Sequence, residues 1–168
     1  YATRLYPLTK DTPKALLPFG QGVILDEVVR SLGSVAGITQ RLLVTNHRFA
    51  EQFRAWQRMR RQDVQIIDDG TDTIEKRLGA IRDLELARTQ GHVEDDVLVL
   101  GTDNLFTWPR AEFIAQARGR LPDPSIALWL APTNDAATHF GVVTRDASSR
   151  ITAFTEKSPQ PPSREVAL

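Results

Sequence analysis

Three cations crowd the start of the chain: Arg4, Lys10 and Lys14 fall within eleven residues, on a segment punctuated by Pro7, Pro13 and Pro18. An arginine can fork onto two phosphate oxygens while a lysine acts as a point charge, so this mixture on a proline-stiffened loop suits a phosphate site. A solvated basic loop is the other reading of the same spacing. Farther along, Asp103 stands in Gly101-Thr102-Asp103-Asn104, straight after the apolar run 96–100 (DVLVL). A carboxylate at the end of a parallel strand lies where open α/β sheets bind ligands, although a lone Asp there also serves as a cap or turn residue. Glu156 and Lys157 close another β-rich run and, taken alone, read as a solvated pair. His47, His92 and His139 are scattered without metal-ligand spacing, and no Gly-x-Ser-x-Gly or complete Walker sequence occurs.

The elements that must position these residues alternate between helical and strand patterns. Within 25–35, Leu25, Val28, Val29 and Leu32 recur at spacings of three and four, which predicts a helix. A buried strand is expected over 41–45, a helix over 49–59 with Phe49, Phe53 and Trp56 on one stripe, and a strand over 64–67. The polar loop 68–73 leads to a helix predicted over 75–89, then to a strand over 96–100. A helix follows over 110–118, a strand over 125–131, and a hairpin of 140–145 with 150–154 joined by Asp146-Ala147-Ser148-Ser149. The segment 158–163 holds three prolines and reads as a loop. Strands alternating with amphipathic helices point to βαβ units and a mostly parallel sheet, an α/β fold of Rossmann-like, three-layer type.

Composition narrows the function classes. At 168 residues the chain fits one domain, 1–168. Lys+Arg and Asp+Glu both total 21, so the formal net charge is zero and binding to nucleic acid by bulk electrostatics is disfavoured. The absence of Cys excludes disulfide frameworks, thiolate zinc sites and Cys nucleophiles. No apolar run approaches the ~18 residues of a membrane span, so no membrane partner is expected. The chain opens at Tyr1 with no hydrophobic strand before the basic block, and 164–168 read as the start of an apolar segment. A fragment is expected, with an opening strand upstream and a further acidic segment downstream.

The stretch Ala2-Thr3-Arg4-Leu5-Tyr6-Pro7-Leu8-Thr9, followed by Pro13-Lys14-Ala15-Leu16-Leu17-Pro18-Phe19, resembles the signature of the sugar-phosphate nucleotidylyltransferases. That signature runs G-x-G-T-R-L-x-P-L-T and then P-K-x-L-L-P; Ala2 stands where the family has its last glycine. Three later segments follow in the family's order. Gly101-Thr102-Asp103-Asn104 is similar to its G-D-N, Phe140-Gly141-Val142-Val143 to its Y-G-V-V, and Glu156-Lys157-Ser158 to its E-K-P with Ser in place of Pro.

The resemblance implies a role for each matched residue. Arg4 and Lys14 would be catalytic, and Ala2, Thr3, Arg4, Leu78 and Gly79 would bind the nucleotide. Gly141, Glu156 and Lys157 would bind the sugar phosphate. Asp103 would hold Mg²⁺, whose taste for hard oxygen ligands it meets. The implied reaction joins a nucleoside triphosphate to a sugar 1-phosphate and releases pyrophosphate, in the cytoplasm. Two other readings stay open: a cytidylyltransferase of the same fold acting on phosphocholine or another phosphorylated alcohol, and a nucleotide- or sugar-binding module that has lost catalysis. The sequence leaves the base, the sugar and the oligomeric state open, a homo-oligomer included.

Overall fold

A computed structural model describes residue 5 and residues 7–33, 35–73, 75–106 and 108–168. The chain divides into two compact units, Tyr1–Ala111 and Glu112–Leu168.

In the first unit, Lys14–Leu16 form a single 3-10 turn after Pro13. A tight hairpin follows, β1 (Pro18–Phe19) against β2 (Gly22–Val23), turning through Gly20 at φ 57. Helix α1 (Ile24–Leu32) starts where the Asp26 carboxylate accepts the Val23 N–H at 2.9 Å. Strand β3 (Leu42–Thr45) leads into helix α2 (His47–Arg60), whose first turn is capped by the Asn46 side chain accepting the Phe49 N–H at 3.1 Å. The α2 stripe Phe49, Phe53 and Trp56 is buried, as its spacing predicts. Together with Leu25, Val28, Leu43 and Val64 it makes the core of this unit, where each large side chain contributes about 1.5–3 kcal/mol by leaving water. Strand β4 (Gln65–Asp68) lies parallel to β3, pairing Leu42 with Gln65 and Thr45 with Asp68. This β3–α2–β4 unit is the expected βαβ.

Two expectations for the first unit are corrected. The helix predicted over 75–89 begins only at Ala80, as α3 (Ala80–Gln90). Gly79, at φ 85, occupies the left-handed region and cannot belong to a right-handed helix, so it becomes the cap. No α3 residue is buried; Ile81 is 81 % exposed. The second correction is the run 96–100, which forms no strand ladder among the described residues. Only Leu100 packs on the core, while Val97 and Val99 are 54 % and 64 % exposed. β-branched residues favour extended backbone, but a strand also needs a neighbour at about 4.8 Å to exchange hydrogen bonds.

The division between the units falls within helix α4 (Arg110–Arg118), whose bounds match the expectation. The second unit is built on an antiparallel sheet. It contains β5 (Leu128–Leu130), the short helix α5 (Asn134–Ala137), β6 (Gly141–Arg145), β7 (Ile151–Glu156) and β8 (Glu165–Ala167), in the order β5-β8-β6-β7. The predicted hairpin is β6–β7, turned by Asp146, whose Oδ1 accepts the N–H groups of Ser148 and Arg150 at 2.9 and 3.0 Å. Strand β8 was legible only as an apolar start, yet it sits inside the sheet and buries Val166 beside Val142. Arg145 Nε donates to Glu165 Oε2 at 2.8 Å and pins β8 against β6. The class is α/β, with parallel pairing in β3–β4 and antiparallel pairing in the other ladders of the described residues.

Candidate functional site

Pro13 fixes the backbone ahead of the 3-10 turn, and Ala15, buried at the next position, anchors that turn in the core. Lys14 is therefore held by its neighbours while its own side chain remains 37 % exposed. Its ammonium donates to Asp103 Oδ2 at 2.8 Å, across 89 positions of sequence. Asp103 stands in the turn 101–104, closed by the Asn104 N–H donating to the Gly101 carbonyl at 3.3 Å. A Cβ on Gly101 would lie 2.8 Å from Asn104 Nδ2 and 3.4 Å from Asp103 Oδ1, so glycine lets both side chains fold over the turn. Two residues implied as phosphate and metal ligands thus meet as one ion pair.

Nearby in sequence, Phe106 carries the Arg110 guanidinium over its ring at 5.1 Å and packs against Trp108 at 5.2 Å. Arg110 is 8 % exposed, its Nε has no hydrogen-bond partner, and desolvation draws its pKa down. Sequence reading missed this buried cation, because an Arg at a helix start normally reads as solvated.

The loop 68–73 is organised by its own carboxylates. Asp68 Oδ1 accepts the Gly70 N–H at 2.9 Å, Asp69 Oδ1 accepts the Thr71 N–H at 2.7 Å, and His47 Nδ1 lies 2.7 Å from Asp68 Oδ2. Burial pushes the Asp68 carboxyl up, but the bonds from Gly70 and His47, with Arg54 close by, bring it below its ordinary value. Asp83, in the first turn of α3, is raised instead, by burial and by the charge of Asp69. Leu78 is half-buried and Gly79 exposed with open space around it, so the start of α3 is accessible. Ala2, Thr3 and Arg4 lie outside the described residues.

The second unit brings Gly141, Glu156 and Lys157 together. Gly141 pairs across the sheet with Glu156, and a Cβ on it would sit 2.8 Å from Glu156 Oε2 and 2.4 Å from Phe154 Cζ. Glycine there lets the carboxylate and the aromatic ring lie against the backbone. Lys157 Nζ is 3.0 Å from Glu156 Oε1, and its backbone takes φ 43 while its N–H donates to the Phe140 carbonyl at 3.1 Å. Around them Trp129 meets Phe140 edge-on at 5.6 Å, and Phe154 is exposed. Of these aromatics, Phe140 opens the motif at 140–143, while Trp129 and Phe154 were assigned no role from the sequence, although their strand-end positions were the available signal.

No group of three His, Asp or Glu residues could hold a metal ion among the described residues. Asp103 nevertheless fits Mg²⁺, which is often held by one or two carboxylates plus substrate phosphates and water. It is a hard oxygen donor, 42 % exposed, with Oδ2 on the Lys14 ammonium.

A family model described as nucleotidyl transferase matches residues 1–167. The chain belongs to the nucleotidyl transferase family. Among individual relatives in that family's neighbourhood, the chain is 26 % identical over 177 residues to a glucose-1-phosphate adenylyltransferase of Anaeromyxobacter dehalogenans, covering 95 % of this chain and 40 % of that protein. It is 26 % identical over 176 residues to a protein of the same name from Corynebacterium aurimucosum, covering 95 % and 41 %. It therefore spans about two fifths of the length of these relatives. A crystal structure of a Bacillus anthracis protein described as a glucose-1-phosphate thymidylyltransferase, in complex with sucrose, superposes with a TM-score of 0.80 at 23 % identity. It covers 98 % of this chain and 64 % of that one, which establishes the nucleotidyltransferase fold. No helix of the described residues is long and apolar enough to cross a membrane.

Proposed function

We propose that this nucleotidyl transferase moves a nucleoside monophosphate from a nucleoside triphosphate to a sugar 1-phosphate, giving a nucleoside diphosphate sugar and pyrophosphate. The observation that carries the reading is the 2.8 Å pair of Lys14 and Asp103, two residues implied to handle phosphate and metal, brought together from 89 positions apart. The names of the two adenylyltransferase relatives support the acceptor class.

A phosphate oxygen of the sugar 1-phosphate attacks the α-phosphorus, the new P–O bond forms, and the bond to the β-phosphate bridging oxygen breaks. Pyrophosphate leaves with that electron pair. The attacking phosphate has a second pKa of about 6, so it is largely ionised at neutral pH and needs no general base. The barrier lies in bringing two polyanions into line and stabilising the leaving group, which calls for cations and positioning. Lys14 neutralises phosphate charge once it leaves Asp103, and Arg4 is assigned the triphosphate. Asp103 holds the Mg²⁺, which when bound offsets the charge that builds on the leaving pyrophosphate. The α3 start at Leu78 and Gly79, with Ala2 and Thr3, is assigned to the nucleotide.

The second unit carries the acceptor chemistry. Glu156 accepts hydrogen bonds from sugar hydroxyls, Lys157 binds the sugar phosphate, and Gly141 keeps the backbone open to close approach. The compartment proposed is the cytoplasm, where nucleoside triphosphates are made and used. Pyrophosphate release should be measured with Mg²⁺ over a panel of triphosphates and acceptors. Release that depends on a sugar 1-phosphate supports the reading, release with phosphocholine alone reassigns the acceptor, and no release with any pair sinks it.

A further inference from the structure

Phe154 lies on β7, at the edge of the four-stranded sheet, and is 58 % exposed. Single exposed apolar side chains are ordinary on a protein surface. What sets this one apart is where its ring is held. Side chains alternate between the two faces of a strand, so Phe154 and Glu156 project from the same face of β7. Their partners on β6 are Val143, which is buried, and Gly141. Gly141 makes the room: a Cβ there would lie 2.4 Å from Phe154 Cζ, 2.8 Å from Phe154 Cε2 and 2.8 Å from Glu156 Oε2. The tip of the ring and the carboxylate thus converge on one point over the glycine. Glu156 Oε1 holds Lys157 Nζ at 3.0 Å, which leaves Oε2 on the side of the ring. An aromatic ring, a carboxylate oxygen and an ammonium are therefore presented together by residues 154–157.

That set matches a particular kind of molecule. A pyranose carries its hydroxyls around the rim and C–H bonds on its faces. The C–H hydrogens, made positive by neighbouring oxygens, suit the negative face of an aromatic ring, and the rim hydroxyls suit a carboxylate acceptor. A quaternary ammonium also favours aromatic faces, but its recognition uses cages of several rings. Here a single ring stands beside a carboxylate whose charge Lys157 already offsets. The balance of groups favours a neutral, hydroxyl-bearing ring over a cation.

We propose that Phe154 stacks against a C–H face of the acceptor's pyranose ring, with Glu156 on its hydroxyls and Lys157 on its phosphate, and so selects a cyclic sugar over an open-chain phosphate ester. This rests on the acceptor reading above and adds to it a specificity-determining residue and the ring shape that residue demands.

Saturation-transfer NMR tests the contact without turnover. The aromatic protons of the protein are irradiated in the presence of the 1-phosphates of glucose, galactose and mannose, and of glycerol phosphate, in the parent and in Phe154→Leu, Phe154→Tyr and Ile151→Thr variants. Ring protons of at least one sugar should receive strong transfer in the parent, keep it in Phe154→Tyr and Ile151→Thr, and lose most of it in Phe154→Leu. In pyrophosphate release, Phe154→Leu should raise KM for that sugar 1-phosphate about five- to tenfold with kcat nearly unchanged, and Phe154→Tyr should restore it. Phe154→Leu keeps an apolar side chain at an exposed position, so its melting temperature should stay near the parent's, whereas a merely structural ring would move that temperature and spare KM. Absence of transfer to every sugar in the parent, transfer unchanged by Phe154→Leu, an equal loss in Ile151→Thr, or transfer to glycerol phosphate as strong as to the sugars would overturn the proposal. Pyrophosphate release that needs a sugar 1-phosphate yet ignores Phe154→Leu sinks this inference alone; ring contact without any release sinks the transfer reading alone.

Discussion

The two units handle charge in opposite ways. In the first, Lys14 and Asp103 are drawn from turns 89 positions apart and meet only because the core around Ala15 and the turn 101–104 are both in place. In the second, Glu156 and Lys157 are chain neighbours, and their 3.0 Å contact is local, made where the backbone leaves the strand at Lys157 with φ 43. Long-range assembly makes the first pair a product of the fold, and the pair should behave as one device. The second pair is a local feature, tuned by the hairpin geometry that Gly141 permits. Catalytic losses should therefore concentrate in the first unit and acceptor-affinity losses in the second.

Asp103→Asn should break the comparison most forcefully. The amide keeps the shape but loses the charge for the metal, so kcat/KM should fall by about 1000-fold, with part of the loss recovered by raising Mg²⁺. A variant whose Mg²⁺ dependence is unaltered would make Asp103 a turn residue. Lys14→Ala comes next, with kcat/KM down by about 100-fold or more. Its melting temperature should barely move, because exposed ion pairs contribute only about 0–1 kcal/mol. The same variant should bind Mn²⁺ more tightly than the parent when no nucleotide is present, as read by the paramagnetic resonance of free ion. Unchanged Mn²⁺ affinity would show that the ammonium does not cover the carboxylate.

In the second unit, Glu156→Gln should raise KM for the acceptor about tenfold with a smaller change in kcat, the result of weakening one charge-assisted contact. Equal loss in kcat and kcat/KM would move Glu156 to the transition state and erase the contrast between the units. The smallest expected effect is the pH response of Asp68. Its folded pKa lies below the ordinary value of 3.8, so its contribution to stability is present above 3.8 and is lost as pH falls through the folded value. Urea unfolding between pH 7 and pH 2 should show a shallower acid decline in Asp68→Asn than in the parent. Identical declines would mean that the loop bonds of Asp68 persist in the unfolded chain.

Local signals were read well from the sequence, and pairings were not. The α2 stripe of Phe49, Phe53 and Trp56 and the β6–β7 hairpin follow from spacing and turn residues within a short window. The family motif pointed to Lys14 and Asp103 as separate candidates; nothing in either window says that the ammonium rests on the carboxylate. Residues 96–100 show the reverse error, where strand propensity was real but no ladder formed among the described residues. Strand β8 was underestimated because a three-residue run shows no period, and its place was set by Val166 and Glu165 meeting partners on β5 and β6. Arg110 was missed because burial of a single cation leaves no mark on composition or spacing.

The most direct test is a double-mutant cycle on pyrophosphate release, with the parent, Lys14→Ala, Asp103→Asn and the double variant assayed with and without a sugar 1-phosphate. If Lys14 and Asp103 work as one device in nucleotidyl transfer, release depends on the acceptor and the double variant is no slower than the worse single variant. Losses that multiply, or release in the parent that ignores the acceptor, would contradict that claim.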